Sequence, residues 1–220
     1  MKKLLFLFVA VVSLTLLIPK ETSGQTFEVA YQQQFFRDTS WTPYHDQIME
    51  MTGKYVLSYQ NCQEMSLEVY VRATTRLPSE GAPSEGIFSF DYMPNQNIGI
   101  KIGGGVNFSP YGSHDRGRGE LFFQNELYYI KLVGEISGAT GYYWNGTLIL
   151  KVLDWLNVGF VADKNWRRSS SPEDGFGPRA EINVVGTPLT IFGGAIFPWK
   201  DGPIQRTTTA GAYIGGSASF

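Results

Sequence analysis

The chain has 220 residues, a formal net charge of −2, one cysteine, 25 glycines and 17% charged residues. A charge so close to neutral argues against an electrostatic nucleic-acid partner, and a lone cysteine, Cys62, excludes an internal disulfide framework. Because the charged fraction is below the roughly 25% of ordinary soluble domains, the composition favours a soluble all-β domain or a β-barrel that spans a membrane.

Residues 1–24 have the features of a secretory signal peptide. Lys2 and Lys3 precede the apolar run LLFLFVAVVSLTLLI, and small residues follow it up to Gly24. The run is too short for a membrane helix, which needs about 20 residues, and its basic start and small-residue end suit cleavage. We therefore expect export, with residues 25–220 forming one barrel domain.

Segments of alternating polarity follow one another through the mature chain. In NIGIKIGGGVNF (97–108), one face has three isoleucines followed by Gly104, Val106 and Phe108, and Lys101 lies among glycines on the opposite face. Such alternation places successive side chains on opposite faces of a sheet. The series predicts twelve strands, with ten as the alternative, near residues 26–36, 53–60, 65–76, 86–93, 97–109, 119–131, 135–144, 147–153, 157–164, 178–185, 188–198 and 207–220.

The connections between these segments fall into two groups that take turns along the chain. Short hairpins are predicted within 91–99, 152–159 and 184–191, and longer polar loops within 37–53, 78–86, 109–119 and 164–178. In the ambiguous stretch 119–153, Asn145-Gly146 is a candidate hairpin turn. Sorting of short and long connections is typical of barrels with short periplasmic turns and longer outer loops.

The chain ends on an aromatic residue that follows a run of small ones. Tyr213 and Gly215 lie on one face of the last predicted strand, and Ala218 and Phe220 lie on the other. This segment resembles the C-terminal assembly signal of bacterial outer-membrane β-barrel proteins. The resemblance implies an antiparallel, transmembrane up-and-down β-barrel in the cell outer membrane, with lipid and the barrel-assembly machinery as partners. Because an open edge in lipid leaves backbone groups unsatisfied, we expect the last strand to pair with the first.

Strand alternation assigns a mixed set of charged side chains to the barrel interior. A slightly acidic interior predicts a small porin-like passive channel for small neutral or weakly cationic solutes. Twelve-stranded porins for acidic oligosaccharides are similar in length and strand count, but they line the pore with basic residues, and this chain does not match that pattern. Inward glycines at 99, 103, 105, 211 and 215 are interpreted as leaving space. The lumen-lining candidates are Glu28, Glu68, Arg72, Asp91, Lys101, Glu120, Glu126, Lys151, Asp163, Arg179 and Glu181.

Two alternatives to a channel stay open. If the interior charges pair and fill the lumen, the protein is a closed structural or surface-interaction barrel that acts through its outer loops. A barrel hydrolase has less support, because His45 and His114 fall in predicted outer loops and no serine has a spacing that shares a strand face with either. No catalytic residue, cofactor or metal site is predicted.

Overall fold

The computed structural model describes residues 25–37, 43–61, 63–77, 84–109, 112–138, 141–165, 175–199 and 210–220. Twelve strands occupy these ranges, and each pairs antiparallel with its neighbours in sequence while β12 pairs with β1, so the sheet closes on itself. The predicted barrel of twelve antiparallel strands is confirmed. The strands are β1 (Gln25–Arg37), β2 (Pro43–Gln60), β3 (Gln63–Leu77), β4 (Ser84–Asn95), β5 (Ile98–Ser109), β6 (Gly112–Gln124), β7 (Tyr128–Ser137), β8 (Gly141–Leu153), β9 (Leu156–Asn165), β10 (Gly175–Asn183), β11 (Leu189–Pro198) and β12 (Gly211–Ser219).

The seam between β1 and β12 extends to the last residue of the chain. Its register runs from the pair Glu28–Ser219 to the pair Phe35–Ala212. Beyond β12, the amide of Phe220 donates to the carbonyl of Phe27 at 2.8 Å, and the amide of Phe27 donates back at 3.0 Å. The terminal aromatic residue is therefore part of the ladder that closes the barrel.

The outer face of the barrel is apolar and the inner face is polar. On β5, Ile102 and Phe108 are 69% and 56% exposed, whereas Asn107 between them in the alternation is 3% exposed. Large exposed hydrophobic side chains recur on the other strands as well. Contiguous apolar surface on this scale is foreign to soluble monomers and matches the lipid-facing band of membrane barrels. Among the described residues, no helix is long and apolar enough to cross a membrane.

The connections sort by barrel end, as the sequence predicts. One end, which we call the turn end, has the connections 61–62, 96–97, 125–127, 154–155 and 184–188, together with Gln25 and Phe220. The opposite end, the loop end, has the connections 38–42, 78–83, 110–111, 138–140, 166–174 and 199–210. At the turn end, Asn61 adopts a left-handed conformation with φ 51°, which asparagine tolerates better than most residues.

Two of the predicted outer loops are wrong over most of their length. Strand β2 begins at Pro43, so it takes up most of the interval 37–53, and β6 begins at Gly112, so it takes up most of 109–119. In a barrel, every second residue faces the polar interior. Stretches such as HDRGRG therefore have the composition of a loop although they form a strand.

The predicted boundaries within 119–153 are also wrong. The turn lies at 125–127, where the side-chain oxygen of Asn125 accepts hydrogen bonds from the amides of Leu127 and Tyr128, both at 2.8 Å. Such capping of following amides is the usual reason for asparagine in a turn. Asn145 instead lies inside β8, where it pairs with Val133 and Asp163. The strand count is nevertheless correct, because the prediction has two turns between 119 and 153 and the chain also has two connections there, 125–127 and 138–140.

Some inward glycines are covered by aromatic rings and do not leave lumen space. A Cβ atom on Gly99 would lie 2.0 Å from the ring of Phe122, and one on Gly215 would lie 2.6 Å from the ring of Phe192. The rings therefore lie directly over the backbone of a neighbouring strand. At these two positions glycine serves close packing of the barrel wall, which corrects the interpretation of Gly99 and Gly215 as open space.

We expect Gly99→Ala to destabilise the barrel by about 1–3 kcal/mol, because the added methyl group must displace the Phe122 ring. Gly119→Ala is the matched control, since a Cβ at outward-facing Gly119 meets nothing within 4 Å. The control should be neutral or slightly stabilising, because alanine restricts the unfolded chain. Urea unfolding in lipid vesicles measures both. Equal stability of the two variants would contradict the packing role of Gly99.

Candidate functional site in the barrel lumen

A cavity of about 910 Å³ extends through the barrel from one end to the other. Its lining includes Glu64 and Lys151 near the turn end, and Gln34 and Asp163 near the loop end. Its walls are the inward-facing rows of the strands, so the strand pairing decides which side chains meet in it. This cavity is the candidate functional site.

Most of the predicted lumen residues line this cavity. Glu126 does not, because it lies exposed in the turn between β6 and β7. Of the predicted assembly signal, Tyr213 and Gly215 face inward on β12, whereas Ala218 and Phe220 belong to the outward-facing row. The predicted residues that line the cavity are Glu28, Glu68, Arg72, Asp91, Lys101, Glu120, Lys151, Asp163, Arg179 and Glu181.

Charged side chains on β3 to β7 join into one continuous set of ion pairs, which we call the ion network. At its turn-end side, Lys101 Nζ lies 2.5 Å from Glu68 and 3.7 Å from Glu120. Because every cation in the network touches at least two carboxylates, the charges are compensated locally. The members are Glu68, Glu85, Asp91, Lys101, Arg116, Arg118, Glu120 and Glu135.

Arg118 links this network to Tyr70 on β3 and, through Tyr70, to Glu50 on β2. Its two terminal nitrogens lie 3.1 Å from Glu120 and 3.2 Å from Glu135. Its guanidinium also stacks on Tyr70, 4.7 Å from the ring centroid, and the Tyr70 hydroxyl donates to Glu50 at 2.7 Å. Strands β3 and β6 are separated by β4 and β5 in the sheet, so the Arg118 side chain extends over these two strands and occupies part of the lumen at that height.

The opposite wall, formed by β8 to β12 and β1, carries less charge. Its charged groups make local contacts: Arg179 Nε lies 2.7 Å from Glu181, and the Tyr143 hydroxyl donates to Asp163 at 3.0 Å. Between them the wall presents amide and hydroxyl groups, including those of Gln32, Asn157 and Thr190. The ion network occupies one side of the lumen, and the cavity lies between it and this less charged second wall.

Several charged residues of the lumen are absent from the sequence prediction. Arg116 and Arg118 fell in a stretch interpreted as a loop, and Lys131 and Glu135 become inward-facing only once the turn is placed at 125–127. The alternation of charge through 114–120 was the signal that could have identified the two arginines. The further missed residues are Glu50, Lys54, Glu64 and Glu85.

The inward-facing charges nearly balance. Within the described residues, ten acidic and eight basic side chains face the interior, a net charge of −2. The acidic ones are Glu28, Glu50, Glu64, Glu68, Glu85, Asp91, Glu120, Glu135, Asp163 and Glu181, and the basic ones are Lys54, Arg72, Lys101, Arg116, Arg118, Lys131, Lys151 and Arg179.

Neither histidine lies where the sequence places it. His114 belongs to β6, in the inward-facing row with Arg116 and Arg118, and its backbone pairs with Asn107. His45 belongs to β2, and its side chain lies outside the described residues. Within the described part of the chain, no group of three or more histidine, cysteine, aspartate or glutamate residues is placed to hold a metal ion.

Solved structures place this fold among the bacterial outer-membrane β-barrels. The KdgM porin matches with a TM-score of 0.59 at 11% identity, covering 88% of this chain and 99% of that chain. An outer membrane channel from Pseudomonas putida F1 gives 0.57 at 11%, covering 92% and 99%. Outer membrane phospholipase A from Escherichia coli gives 0.53 at 8%, covering 91% and 92%. No family model and no curated protein matches the chain. At these identities the likeness concerns the fold.

We expect Arg118→Met to destabilise the barrel by about 3 kcal/mol, because it leaves Glu120 and Glu135 with less compensating charge in a largely desolvated network. Adding Glu135→Gln should recover part of this loss. Lys151→Met is the control, because the Lys151 ammonium group is exposed at the turn-end mouth. Its loss should lower the free energy of unfolding by less than about 1 kcal/mol. Urea unfolding of the wild-type protein and these variants measures the differences in stability, and a neutral Arg118→Met would contradict the role of the network.

Proposed function

We propose that the protein is a narrow passive channel of the bacterial outer membrane for small neutral or weakly cationic solutes. The observation that supports this proposal most directly is the polar cavity that extends from the turn end to the loop end of a closed barrel. An apolar outer face with a polar, hydrated interior is the arrangement by which membrane barrels conduct solutes. Side chains in a barrel of this strand number still leave room for a narrow path.

The proposed location combines the barrel with the expected signal peptide at residues 1–24. That segment lies outside the described residues, and its role in export stays a prediction. The outward-facing Ala218 and Phe220, with inward-facing Tyr213 and Gly215, fit an assembly signal that presents one face of the last strand. In this arrangement the turn end faces the periplasm and the loop end faces the outside.

The lumen charge supports neutral or weakly cationic solutes over acidic ones. The KdgM porin is described in complex with disordered oligogalacturonate, which is an acidic oligosaccharide. A wall with a net charge of −2 among its described residues repels such a chain and attracts cations. The ion network also narrows the passage, which favours small solutes.

We expect weakly cation-selective currents from the purified protein in planar bilayers. Arg179→Ala should raise the ratio of cation to anion permeability by about two- to threefold, because it leaves the Glu181 carboxylate without its 2.7 Å partner beside the open passage. The shift should shrink as salt concentration rises and screens the wall. Reversal potentials in a KCl gradient measure this ratio.

Lys164→Ala is the matched control for that experiment. It removes the same charge, but Lys164 belongs to the outward-facing row of β9 and lies over the Trp199 ring, 5.8 Å from its centroid. Its selectivity should stay at the wild-type value. Anion selectivity of the wild-type protein would contradict the proposed solute class. A barrel that stays electrically silent across a wide voltage range would instead identify a closed scaffold.

The orientation is tested through Cys62, the one cysteine of the chain, which follows Asn61 of the turn end in the sequence. Maleimide attached to a polyethylene glycol too large for outer-membrane pores should not label it in intact cells. It should label the variant Cys62→Ser/Ser170→Cys, whose thiol lies in the loop-end connection 166–174. The reverse labelling pattern would show that the turn end faces outward.

A further inference from the structure

Two opposite charges, those of Glu28 and Lys131, lie on opposite walls of the lumen near the turn end. Glu28 belongs to β1 and Lys131 to β7, and in the closed sheet β2 to β6 lie between these strands on one side and β8 to β12 on the other. Each is the fourth residue of a strand that begins at the turn end. Both line the cavity, and among the charged groups that act on the Glu28 carboxylate, Lys131 has the strongest effect. The two charges therefore face each other across the passage.

Neither charge is paired, and both are open to the cavity. Within the described part of the chain, Glu28 and Lys131 make no hydrogen bond, and no oppositely charged atom lies within 4.0 Å of either. Glu28 is exposed and Lys131 is half-buried. Their charged atoms are not among the described polar atoms that are both buried and without a partner. A molecule in the passage can therefore reach both groups.

The charges around Glu28 leave its carboxylate uncompensated. Glu50 and Glu68 act on it with the same sign of charge. Lys101 is the other cation that acts on it, but the Lys101 ammonium lies 2.5 Å from Glu68 and belongs to the ion network. The wall around Glu28 is therefore negative, and it suits the cationic end of a ligand.

The carboxylate that acts most strongly on Lys131 is already held by other cations. This carboxylate is Glu120, whose Oε2 lies 3.1 Å from Arg118 and whose Oε1 lies 3.7 Å from Lys101. Arg118 also acts on Lys131, with the same sign of charge. The ammonium group of Lys131 is therefore available to the anionic end of a ligand.

The signs of the two charges define the ligand chemistry. An ionised carboxylate only accepts hydrogen bonds and an ammonium only donates them, so Glu28 needs a donor and Lys131 an acceptor. A simple cation would satisfy Glu28 and be repelled by Lys131, and a simple anion would meet the reverse. A single molecule with an ammonium at one end and a carboxylate at the other satisfies both through charge-assisted hydrogen bonds, which are stronger than those of neutral groups.

We propose that Glu28 and Lys131 form a binding subsite for a small zwitterion of the amino-acid type, with an ammonium and a carboxylate a few bonds apart. The proposal rests on the proposed channel function and names a solute class for it, since a zwitterion has no net charge. The ammonium group of the solute binds Glu28 and its carboxylate binds Lys131. The solute then lies across the passage, close to the turn-end mouth.

The test is saturation-transfer NMR at neutral pH, with the barrel in an uncharged detergent. L-alanine is the zwitterionic probe, and its uncharged isomer lactamide is the matched control solute. Transfer from the wild-type protein to the methyl protons of alanine is expected, and transfer to lactamide should be much weaker. Glu28→Gln and Lys131→Met should each raise the dissociation constant for alanine about two- to fivefold, because each removes one partly exposed ion pair with the probe.

The double variant Glu28→Gln/Lys131→Met should lose the preference for alanine over lactamide. Its matched control is Lys54→Met/Glu64→Gln, which also removes one cation and one carboxylate from the wall of the same cavity. Lys54 and Glu64 form an ion pair with each other, so this control leaves no new unpaired charge. It should bind alanine with the wild-type dissociation constant.

Alaninamide separates this subsite from simple attraction of cations, because it has the ammonium group of alanine without the carboxylate. The wild-type protein should bind it more weakly than alanine, and Lys131→Met should not weaken its binding further. No transfer to alanine, equal binding of alanine and lactamide, or wild-type affinity for alanine in Glu28→Gln/Lys131→Met would overturn the subsite. A barrel that conducts ions in planar bilayers but does not prefer alanine would retain the channel function and lose the subsite. One that prefers alanine but conducts nothing would do the reverse.

Discussion

The hydrogen-bonded seam between the first and last strands is the constraint on which the rest of this structure depends. In lipid, an unpaired strand edge would expose a row of backbone donors and acceptors with no partner. The ladder therefore continues through the paired backbones of Phe27 and Phe220, and the chain ends where the ladder ends. Closure also fixes the register of each strand, and the register decides which side chains share the lumen.

Closure forces charged and apolar residues to opposite faces, and the two faces are stabilised differently. The outer face is stabilised by lipid, which accepts Ile102 and Phe108 without a protein partner. The inner face must compensate its own charges, and it does so through ion pairs such as Lys101 with Glu68, 2.5 Å apart. The wall is tightened where rings such as Phe122 lie directly over glycines. A barrel stabilised in this way needs no disulfide.

The division of the lumen into two walls links this architecture to the proposed function. One side is occupied by the ion network, in which Arg118 reaches over β4 and β5 to Tyr70. The other side keeps amide, hydroxyl and aromatic groups next to open space. The carboxylates and cations of the ion network pair with one another, so they attract passing ions of either sign less strongly than unpaired charges would. A solute in the proposed channel then meets a mildly acidic passage.

The sequence by itself determined the class of the fold, because its signals are local. Alternation along a strand, turn residues between strands and a terminal aromatic are each read within about ten residues. They placed ten of the lumen charges on the correct face. They failed where polar strand ends have the composition of loops, as at His45 and Arg116, and where Asn145-Gly146 inside β8 has the composition of a hairpin turn.

Only the tertiary structure decided what the inward side chains touch. The meeting of Arg118 with Tyr70 joins strands that are not neighbours in the sheet, and the pairing of Gln34 with Tyr213 exists only because the two ends of the chain meet. The covering of Gly99 and Gly215 depends on the register of the adjacent strand. A one-residue shift of register moves every side chain to the other face, so these contacts follow from closure of the whole sheet and not from any one segment.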